Sequence, residues 1–588
     1  MPARLLDPPA DGAVVDVDVV VAGAGCAGLS AALMASLEGA RVLLLERTAH
    51  VGGTSAWSAG TTWIPGTHHN RAAAPEDTPA NALAFLDRAV GAQADPALRR
   101  AFLEHGAEVV ACYEARTEVR YRPYARHPDY LSEVAGSVLA GRALEPLPFD
   151  GRRLGALFDL LRPPIPEFTV LGGMMVDRTD IGHLLGATRS RASFAHAARL
   201  LARHARDRLT HRRGTRLVMG NALVGRLLFS LAAQPQARLL VGAAVRALER
   251  DAGGAVRLAV EHAGRTLRVR AAGGLVLASG GFNRHPERRA AMLPGTPADW
   301  CVGAPGHTGE LHALAEAAGA HYGTGAPTHA FWAPVSMRVR ADGSRAVFPH
   351  FVLDRSKPGT FVVDQAGRRF VNESTSYHLF SLAMQAAHRT TPTIPAFLVA
   401  DAPTLARYGL GMVRPGGRGL GPHLADGYLV RGATLDALAA RLGIDAAALA
   451  DTVARMNRFA ATGVDADFGR GSTAYQRHNG DATAGTRNPC LGPIGTPPYY
   501  AVRLYPGDIG AATGFAADAD GRLLDRAGAP IPGLYAAGND MQSIMGGVYV
   551  APGITLGPGL VFGALAGRHA AARARAASAG GAGGAGGA

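Results

Sequence analysis

Short apolar runs, glycine-rich turns and stretches of helical spacing alternate along the first part of the chain. A β-branched run at 17–21 is followed by a glycine turn, a helix of small residues and a second apolar run at 42–45. Continuous apolar runs of this length, bounded by turn residues, are typical of buried strands in a parallel sheet. The order strand, turn, helix, strand therefore predicts an α/β fold that begins with a βαβ unit.

The turn after the first strand has the spacing Gly-x-Gly-x-x-Gly. Gly23 makes the tight turn, Gly25 lets the backbone approach a pyrophosphate, and Gly28 lets the helix pack on the strand. At Ala27 the helix N-terminus presents free N–H groups and its positive dipole end to phosphates. Glu46 follows Gly25 by about twenty residues, where a carboxylate can accept hydrogen bonds from a ribose diol. The pattern predicts a dinucleotide site.

A second glycine loop selects the dinucleotide. Gly53, Thr54 and Ser55 follow the second strand directly, and this loop resembles the second phosphate-and-flavin loop of FAD enzymes. Folds that bind only NAD do not need it, so the sequence favours FAD, held without a covalent bond. The alternative is an ordinary glycine-rich surface turn in a glycine-rich chain.

Apolar periodicity predicts the remaining elements. The predicted helices are 80–90, 96–115, 435–442, 446–462 and 560–576, with a helical segment over 166–236. The predicted strands are 239–245, 256–261 and 266–271 as a small antiparallel set, a buried strand within 274–282, and strands at 349–353 and 359–364.

At 588 residues the chain is too long for one core. We predict a Rossmann-like FAD-binding domain with an inserted mixed α+β substrate domain and a helical insertion. The predicted segments are an N-terminal lead (1–15), the first part of the FAD-binding domain (16–282, with the helical insertion at about 150–236), the substrate domain (283–505), the second part of the FAD-binding domain (506–576) and a disordered tail (577–588).

Composition excludes several classes of protein. With 48% hydrophobic and 18% charged residues, the chain is typical of globular proteins. The four cysteines are scattered, which argues against a haem module or a disulfide framework, and no metal site is predicted. The sequence contains no signal peptide and no apolar run of about 20 residues, so we expect a cytoplasmic protein.

The net charge of +13 raises the question of an anionic partner. Arginine from a GC-rich coding sequence can supply that excess, and we expect no nucleic acid partner. The segment 185–216 interleaves nine arginines with apolar residues, a pattern that can lie peripherally on an anionic membrane. The alternative is a solvated helix face on a basic protein.

Longer motifs resemble those of the 3-oxosteroid 1-dehydrogenases, within the flavoprotein superfamily that includes fumarate reductase. The matching stretches cover nearly the whole chain: GGTSAWSAGTTWIPG (52–66), PDYLSEVAGSVLAGRALEP (128–146), GTRLVMGNALVGRLL (214–228), GRRFVNESTSY (367–377), NRFAATGVDADFGRG (457–471), NPCLGPIGTPPYYAVRLYPGD (488–508) and GLYAAGN…YVAPGITLGPGLVFGALAGRHA (533–570). The tyrosine after NES, combined with Tyr-x-x-x-Gly before TLGPG, is the narrowest of these signals.

The resemblance implies 1,2-desaturation of a 3-oxosteroid, with FAD as the hydride acceptor. It implies that the Tyr549 hydroxyl and the Gly553 backbone N–H hold the carbonyl oxygen, where charge develops as the enolate forms. It assigns Tyr377 as the base, which must be largely phenolate or able to pass its proton on. Tyr130 is implied as the proton relay.

The resemblance also implies further FAD contacts. They are Arg47, Val245 at the adenine, Ser279, Gly280, Gly538, Asn539, Thr555 and Leu556. The chain departs from many relatives at 306–310, which reads GHTGE rather than containing GDG, and at 513–514, which is Thr-Gly rather than Gly-Gly. We expect both departures to alter FAD contacts without removing them. Relatives carry Tyr-Tyr where this chain has Tyr130-Leu131, so Tyr121 and Tyr124 remain open as relays.

Other functions remain open at this point. A fumarate- or urocanate-type reductase would need arginines and histidines around a dicarboxylate, where this chain offers tyrosines and apolar residues. A flavoprotein without enzymatic activity is a second alternative, and a smaller cyclic ketone in place of the steroid is a third. The external electron acceptor, a quinone or a similar carrier, cannot be derived from the sequence.

Overall fold

The structure, a computed structural model, describes residues 14–323, 325–340, 342–351 and 354–583. Its strands are β1 (Val14–Ala22), β2 (Val42–Glu46), β3 (Thr62–Trp63), β4 (Tyr121–Pro123), β5 (Ala143–Pro146), β6 (Phe149–Asp150), β7 (Thr169–Val170), β8 (Met174–Met175), β9 (Arg216–Leu217), β10 (Ala237–Val241), β11 (Ala243–Arg250), β12 (Val256–His262), β13 (Arg265–Leu277), β14 (Ala330–Val339), β15 (Arg345–Pro349), β16 (Thr360–Val363), β17 (Ala396–Asp401), β18 (Val430–Gly432), β19 (Tyr499–Ala511), β20 (Arg522–Leu524) and β21 (Pro530–Ala536).

The helices include most of those that the periodicity predicts. They are α1 (Cys26–Leu37), α2 (His68–Ala73), α3 (Pro79–Ala89), α4 (Pro96–Arg116), α5 (Arg178–Leu185), α6 (Arg191–Asp207), α7 (Met219–Ala232), α8 (Pro286–Met292), α9 (Glu310–Ala317), α10 (Tyr377–Ala387), α11 (Ala402–Tyr408), α12 (Gly421–Ala425), α13 (Leu435–Leu442), α14 (Ala446–Thr462), α15 (Ala474–Asn479) and α16 (Leu556–Gly583).

The larger sheet carries the predicted nucleotide-binding unit. Its strands run in the order β10-β2-β1-β13-β12-β11, and β21 joins β13. The strands β10, β2, β1, β13 and β21 pair in parallel, whereas β11, β12 and β13 pair antiparallel. Every residue of β2 is buried, which explains its unbroken apolar sequence. The α/β prediction is confirmed.

A second sheet is antiparallel. Its strands run in the order β15-β14-β19-β17-β16, with β18 also paired to β19. Residues from its two faces form separate apolar cores, one around Phe380 and Leu398 and another around Phe361 and Leu449. Strand β19 continues to Ala511, across the boundary predicted at 505, and the domain boundaries stay a prediction.

Four predicted strands differ from the structure. The strand predicted at 349–353 lies instead at Arg345–Pro349, and residues 352–353 lie outside the described residues. The run at 239–245 is two strands that divide at Gly242: β10 pairs with β2 in parallel, and only β11 belongs to the antiparallel set. The strands predicted at 266–271 and within 274–282 are one strand, β13. Apolar runs mark strands but do not reveal their partners, so the sequence could not separate these cases.

The helical segment 166–236 is not uniform. It contains the short strands β7, β8 and β9 as well as α5 and α6, and its last helix, α7, is almost wholly buried. Helix α16 begins at Leu556 and continues to Gly583, so the predicted disordered tail is wrong for 577–583. The remaining residues of that tail, 584–588, and residues 1–13 of the predicted lead lie outside the described residues. Among the described helices, none has the length and apolar character that a membrane span needs.

Candidate active site

One large cavity, of about 540 Å³, brings the predicted site residues together. Its lining includes all of them except Gly28: Gly23, Gly25, Ala27, Glu46, Arg47, Gly53, Thr54, Ser55, Tyr130, Val245, Ser279, Gly280, Tyr377, Gly538, Asn539, Tyr549, Gly553, Thr555 and Leu556. Gly28 lies behind the lining, where a Cβ atom would come within 1.8 Å of the Gly23 carbonyl oxygen. Its role is therefore close packing of α1 on the turn after β1, as the motif predicts.

The dinucleotide end of the cavity lies at the carboxyl ends of β1 and β2. The Ser55 hydroxyl accepts a hydrogen bond of 3.1 Å from the Cys26 N–H and so joins the two glycine loops. The N–H groups of Ala27 and Gly28 have no acceptor among the described residues. Two free N–H groups at a helix N-terminus form a ready site for a phosphate.

Glu46 is held at the end of β2 by three hydrogen bonds. Its carboxylate accepts from the Ala24 N–H at 3.0 Å and from the Thr48 N–H and hydroxyl at 2.8 and 2.7 Å. These donors fix the carboxylate beside the glycine turn at the edge of the cavity. A carboxylate has room for about four hydrogen bonds, so one acceptor position remains for a ribose hydroxyl.

A buried carboxylate that the sequence analysis missed holds the 279–281 loop. Asp540 accepts hydrogen bonds from the N–H and hydroxyl of Ser279 and from the N–H of Gly281. His312 binds the same carboxylate at 2.8 Å, and neither side chain is exposed. Burial alone would raise the pKa of Asp540, but the His312 and Ser279 contacts outweigh it and lower the pKa. No sequence motif marks such a residue. Only its position directly after Asn539, a predicted FAD contact, could have suggested it.

The segment 306–310, where this chain reads GHTGE, makes contacts at the edge of the cavity. The His307 ring nitrogen Nε2 lies 3.2 Å from the Thr54 hydroxyl, and a Cβ atom on Gly280 would meet that ring at 2.5 Å. Arg47 forms an ion pair of 2.7 Å with Glu310. The guanidinium of Arg47 is thus engaged by the 306–310 segment, although the residue lines the cavity.

Three tyrosines meet at the other end of the cavity, which we call the ketone end. The hydroxyl oxygens of Tyr130 and Tyr377 are 3.2 Å apart and share a hydrogen bond. The Tyr549 ring lies 5.1 Å from the ring of Tyr377 and 5.6 Å from that of Tyr130, measured between centroids. Tyr377 is the first residue of α10, and the Tyr130 N–H is anchored to the Val550 carbonyl at 2.9 Å.

Burial determines the protonation of these tyrosines. It raises the pKa of Tyr130 and of Tyr377 well above the ordinary value. Tyr130 and Tyr549 raise the pKa of Tyr377 further, whereas the hydrogen bond with Tyr377 partly offsets the rise at Tyr130. Burial also raises the pKa of Tyr549, which the hydroxyls of Tyr377 and Thr555 partly offset. All three phenols are therefore protonated at neutral pH.

Gly553 completes the ketone end. Its φ of 86° lies in the left-handed region, and a Cβ atom would come within 2.4 Å of the Thr61 carbonyl oxygen, so only glycine fits. The Gly553 carbonyl accepts hydrogen bonds from Trp63 and Gly557, whereas its own N–H has no acceptor among the described residues. Gly553, with its free N–H, and Tyr549 both line the cavity, four residues apart in the chain.

Comparison with known proteins identifies the family. The family model described as FAD binding domain matches residues 18–556. The 4-oxocyclohex-2-ene-1-carboxylate 5-dehydrogenase of Sinomonas cyclohexanicum is 36% identical over 95% of this chain and 94% of its own length. The 3-oxosteroid 1-dehydrogenase of Mycobacterium tuberculosis is 34% identical over 95% of this chain and 99% of its own length. The chain belongs to the FAD-binding family of the 3-oxosteroid 1-dehydrogenases.

A solved structure agrees with this family. The 3-ketosteroid Δ1-dehydrogenase from Sterolibacterium denitrificans, in complex with 1,4-androstadiene-3,17-dione, superimposes with a TM-score of 0.87 at 33% identity, covering 95% of this chain and 99% of that one. The chain is accordingly an FAD-dependent oxidoreductase. FAD fits the dinucleotide end, because the N–H groups of Ala27 and Gly28 are free and Glu46 has an acceptor position to spare. Bound FAD supplies a hydride acceptor.

The sequence analysis missed one stretch of the cavity wall, between residues 164 and 181. We call it the outer wall, and its cavity-lining residues are Pro164, Ile165, Phe168, Met175, Val176, Asp177, Arg178 and Ile181. They come from a region that the sequence predicts only as part of the helical insertion at about 150–236. Tyr124 also lines the cavity, and its hydroxyl lies 3.3 Å from that of Thr61. Tyr121, the other proposed relay, does not line it.

One cluster of potential metal ligands lies elsewhere. The imidazoles of His68 and His69 approach the same Glu114 carboxylate at 3.0 and 2.9 Å. Their donor atoms lie within 4.8 Å of one another. The expectation that the protein binds no metal stays a prediction.

Proposed function

We propose that the protein introduces a carbon–carbon double bond α,β to the carbonyl of a ring ketone. The observation that carries this proposal is the ketone end itself: three buried phenols beside the free N–H of Gly553. Desaturation needs donors for the carbonyl oxygen, a base for the α-proton and a hydride acceptor, and this arrangement provides the first two.

In this proposal Tyr549 and Gly553 bind the carbonyl oxygen. Their hydroxyl and N–H stabilise the negative charge that the oxygen gains as the α-proton leaves, which acidifies that proton. Because both donors are fixed, by aromatic packing around Tyr549 and by backbone bonds around Gly553, little reorganisation is needed when the charge develops.

Tyr377 takes the α-proton in this proposal, and Tyr130 relays it. Both phenols are protonated, so Tyr377 must release its own proton before it takes one from the substrate. Tyr130, which is hydrogen-bonded to Tyr377 at 3.2 Å, can take that proton only as its own hydroxyl proton leaves to solvent through the cavity. Tyr124 is an alternative relay, since it lines the same cavity.

The substrate is proposed as a 3-oxosteroid or a smaller cyclic ketone. Named relatives act on both kinds of ketone, and most lining residues of the outer wall are apolar. The experiment is anaerobic addition of ring ketones to the FAD-loaded protein. Bleaching of the flavin absorbance, with formation of the unsaturated ketone, is the expected result. Bleaching by succinate, or no bleaching by any ring ketone, would overturn the proposal.

We also propose that the segment 185–216 contacts the surface of an anionic membrane, where a quinone could serve as electron acceptor. Six of its nine arginines are exposed and have no carboxylate within 4.0 Å among the described residues: Arg189, Arg191, Arg199, Arg206, Arg208 and Arg212. Phe194 and Leu209 are 65% and 83% exposed beside them. Exposed apolar side chains among cations favour a lipid interface over a purely solvated face. The other three arginines bond to side chains of the protein. Arg203 binds Asp150, Arg213 binds Asn221 and Arg216 binds Asp180.

A further inference from the structure

Two adjacent histidines of α2 converge on one carboxylate of α4. His68 and His69 are the first two residues of α2, and Glu114 lies close to the C-terminal end of α4. The Nε2 atoms of His68 and His69 lie 3.0 and 2.9 Å from the Oε2 atom of Glu114, and the two imidazole rings are 4.0 Å apart. Adjacent residues of a helix do not ordinarily face each other, so this convergence is unusual. We call the three side chains the His–Glu cluster.

The separations in the His–Glu cluster are close to those between the ligands of a single metal ion. With Zn–N and Zn–O distances of about 2.0–2.2 Å, two ligands of a tetrahedral site lie about 3.3–3.6 Å apart. The donor atoms of the cluster all lie within 4.8 Å of one another. An outward movement of the imidazoles by about half an ångström would therefore make room for an ion between the three side chains.

Glu114 is held in the orientation that a metal ligand needs. Its Oε1 atom accepts a hydrogen bond of 2.8 Å from the Tyr121 N–H, while Oε2 faces both imidazoles. The Nε2 atom of His69 also lies 3.0 Å from Oε1. Hydrogen bonds from outside the cluster that fix a ligating carboxylate are typical of metal sites in proteins. Tyr121 thus supplies the outer support that such a site requires.

The cluster is open to solvent on the side of His68. The His68 side chain is 50% exposed, whereas those of His69 and Glu114 are 17% and 13% exposed. Water can therefore complete the coordination of an ion, as it does in zinc sites that have two imidazoles, one carboxylate and an open position. Imidazole nitrogens favour Zn²⁺ and its neighbouring transition metals over Mg²⁺ and Ca²⁺, which prefer oxygen ligands.

We infer, against the expectation drawn from the sequence, that the His–Glu cluster binds one divalent transition-metal ion of the Zn²⁺ class, which ties α2 to α4. Among the described residues, no other three His, Cys, Asp or Glu side chains converge in this way. His105 and Glu108 of α4, for example, approach each other at 3.7 Å as a pair with a single imidazole. The cluster does not line the cavity, so this inference does not rest on the proposed function.

The test uses the full-length, FAD-loaded protein without an affinity tag, treated with a chelator and then titrated with Co²⁺. Tetrahedral Co²⁺ absorbs at longer wavelengths than the flavin, so its binding can be followed directly. We expect one Co²⁺ per chain, displaced by Zn²⁺. His69→Gln and Glu114→Gln should weaken binding at least about 10-fold, because loss of an outer partner alone costs about 10- to 100-fold. Zn²⁺ should also raise the unfolding temperature of the wild type but not that of His69→Gln.

His105→Gln is the matched control and should bind Co²⁺ as the wild type does, because it alters a pair that has only one imidazole. His68→Gln replaces a half-exposed side chain, so it separates loss of the ion from loss of the fold. A wild type without a Co²⁺ absorption that Zn²⁺ displaces would overturn the inference. Equal affinities in the wild type, His68→Gln and His69→Gln would overturn it too. Either result leaves the proposed function intact, since that function is tested by flavin bleaching.

Discussion

The two ends of the cavity use their polar groups in opposite ways. At the dinucleotide end, Glu46, Ser55 and Asp540 are occupied by backbone N–H groups and fix the loops around them. At the ketone end, the Gly553 N–H has no acceptor among the described residues, and the tyrosine hydroxyls bond chiefly to one another. The first region is held in one shape by its own contacts. In the proposed reaction, the second keeps donors free for a group that changes charge.

This comparison makes Asp540 the most sensitive residue of the dinucleotide end. Asp540→Asn removes the charge that His312 and the 279–281 loop bind, and breaking such a buried pair costs about 3–5 kcal/mol. We expect a lower free energy of unfolding and loss of FAD on gel filtration. Asp520→Asn, in which a half-exposed carboxylate is replaced, is the control and should change stability by less than about 0.5 kcal/mol. Full FAD retention in Asp540→Asn would contradict the role given to this carboxylate.

The same residue predicts a pH dependence. Because the folded protein lowers the pKa of Asp540, its contribution to stability is present above the unfolded pKa of about 3.8 and is lost as the pH falls through the lower folded value. The acid limb of a plot of unfolding free energy against pH should therefore be shallower in Asp540→Asn than in the wild type. Identical acid limbs would mean that Asp540 is not ionised in the folded protein.

Tyr549→Phe tests a free donor at the ketone end. Removing one donor from an oxyanion site should lower kcat by about 10²–10³. The unsaturated product presents the same oxygen, so its binding should weaken as well, measured by its perturbation of the flavin spectrum. Tyr408→Phe, which removes a hydroxyl that bonds to Asp481 outside the cavity, should leave both quantities unchanged. Unaltered product binding in Tyr549→Phe would place the carbonyl oxygen elsewhere.

Glu46→Ala should have a smaller effect, on FAD retention alone. Losing charge-assisted hydrogen bonds to a ribose costs about 1–3 kcal/mol. The measurement is FAD affinity by titration of the apoprotein, and unchanged affinity would show that Glu46 serves only the loop. Acid precipitation of the wild type should release the flavin to the supernatant, and flavin retained in the pellet would refute non-covalent binding.

The smallest effect concerns the segment 185–216. If it contacts anionic lipid, a fraction of the protein should sediment with anionic vesicles at low salt and dissociate as the salt concentration rises. Salt screens the attraction between surface charges, and the Debye screening length is about 8 Å at physiological ionic strength. Neutral vesicles are the control. Complete recovery in the supernatant at low salt would leave the exposed arginines as a solvated face.

The contrast between the two ends also explains what the sequence could predict. The glycine turn and Glu46 follow from local spacing, since a βαβ unit places them together whatever the rest of the chain does. Asp540 could not be predicted in this way. It holds a loop some 260 residues earlier in the chain, and only the tertiary structure brings the two together.

The predictions of the fold show the same contrast between local signals and long-range contacts. Helices α13 and α14 match their predicted bounds, because each has a side-chain N-cap and a glycine in the left-handed region at its end. The strands of 239–277 were predicted as apolar runs, but their partners depend on the sheet as a whole. The protonation of the tyrosines likewise depends on burial, which the order of residues does not specify.

The central claim is that Tyr377 removes the α-proton while Tyr549 and Gly553 hold the carbonyl oxygen. The most direct test follows a ketone deuterated at the α position and measures loss of the label to water. If enolate formation is reversible, the wild type should release the label, and Tyr549→Phe should slow release in proportion to turnover. Tyr377→Phe should abolish release and turnover while still binding the unsaturated product. Release at the wild-type rate in Tyr377→Phe would contradict the account, and the base would then have to be another group of the ketone end.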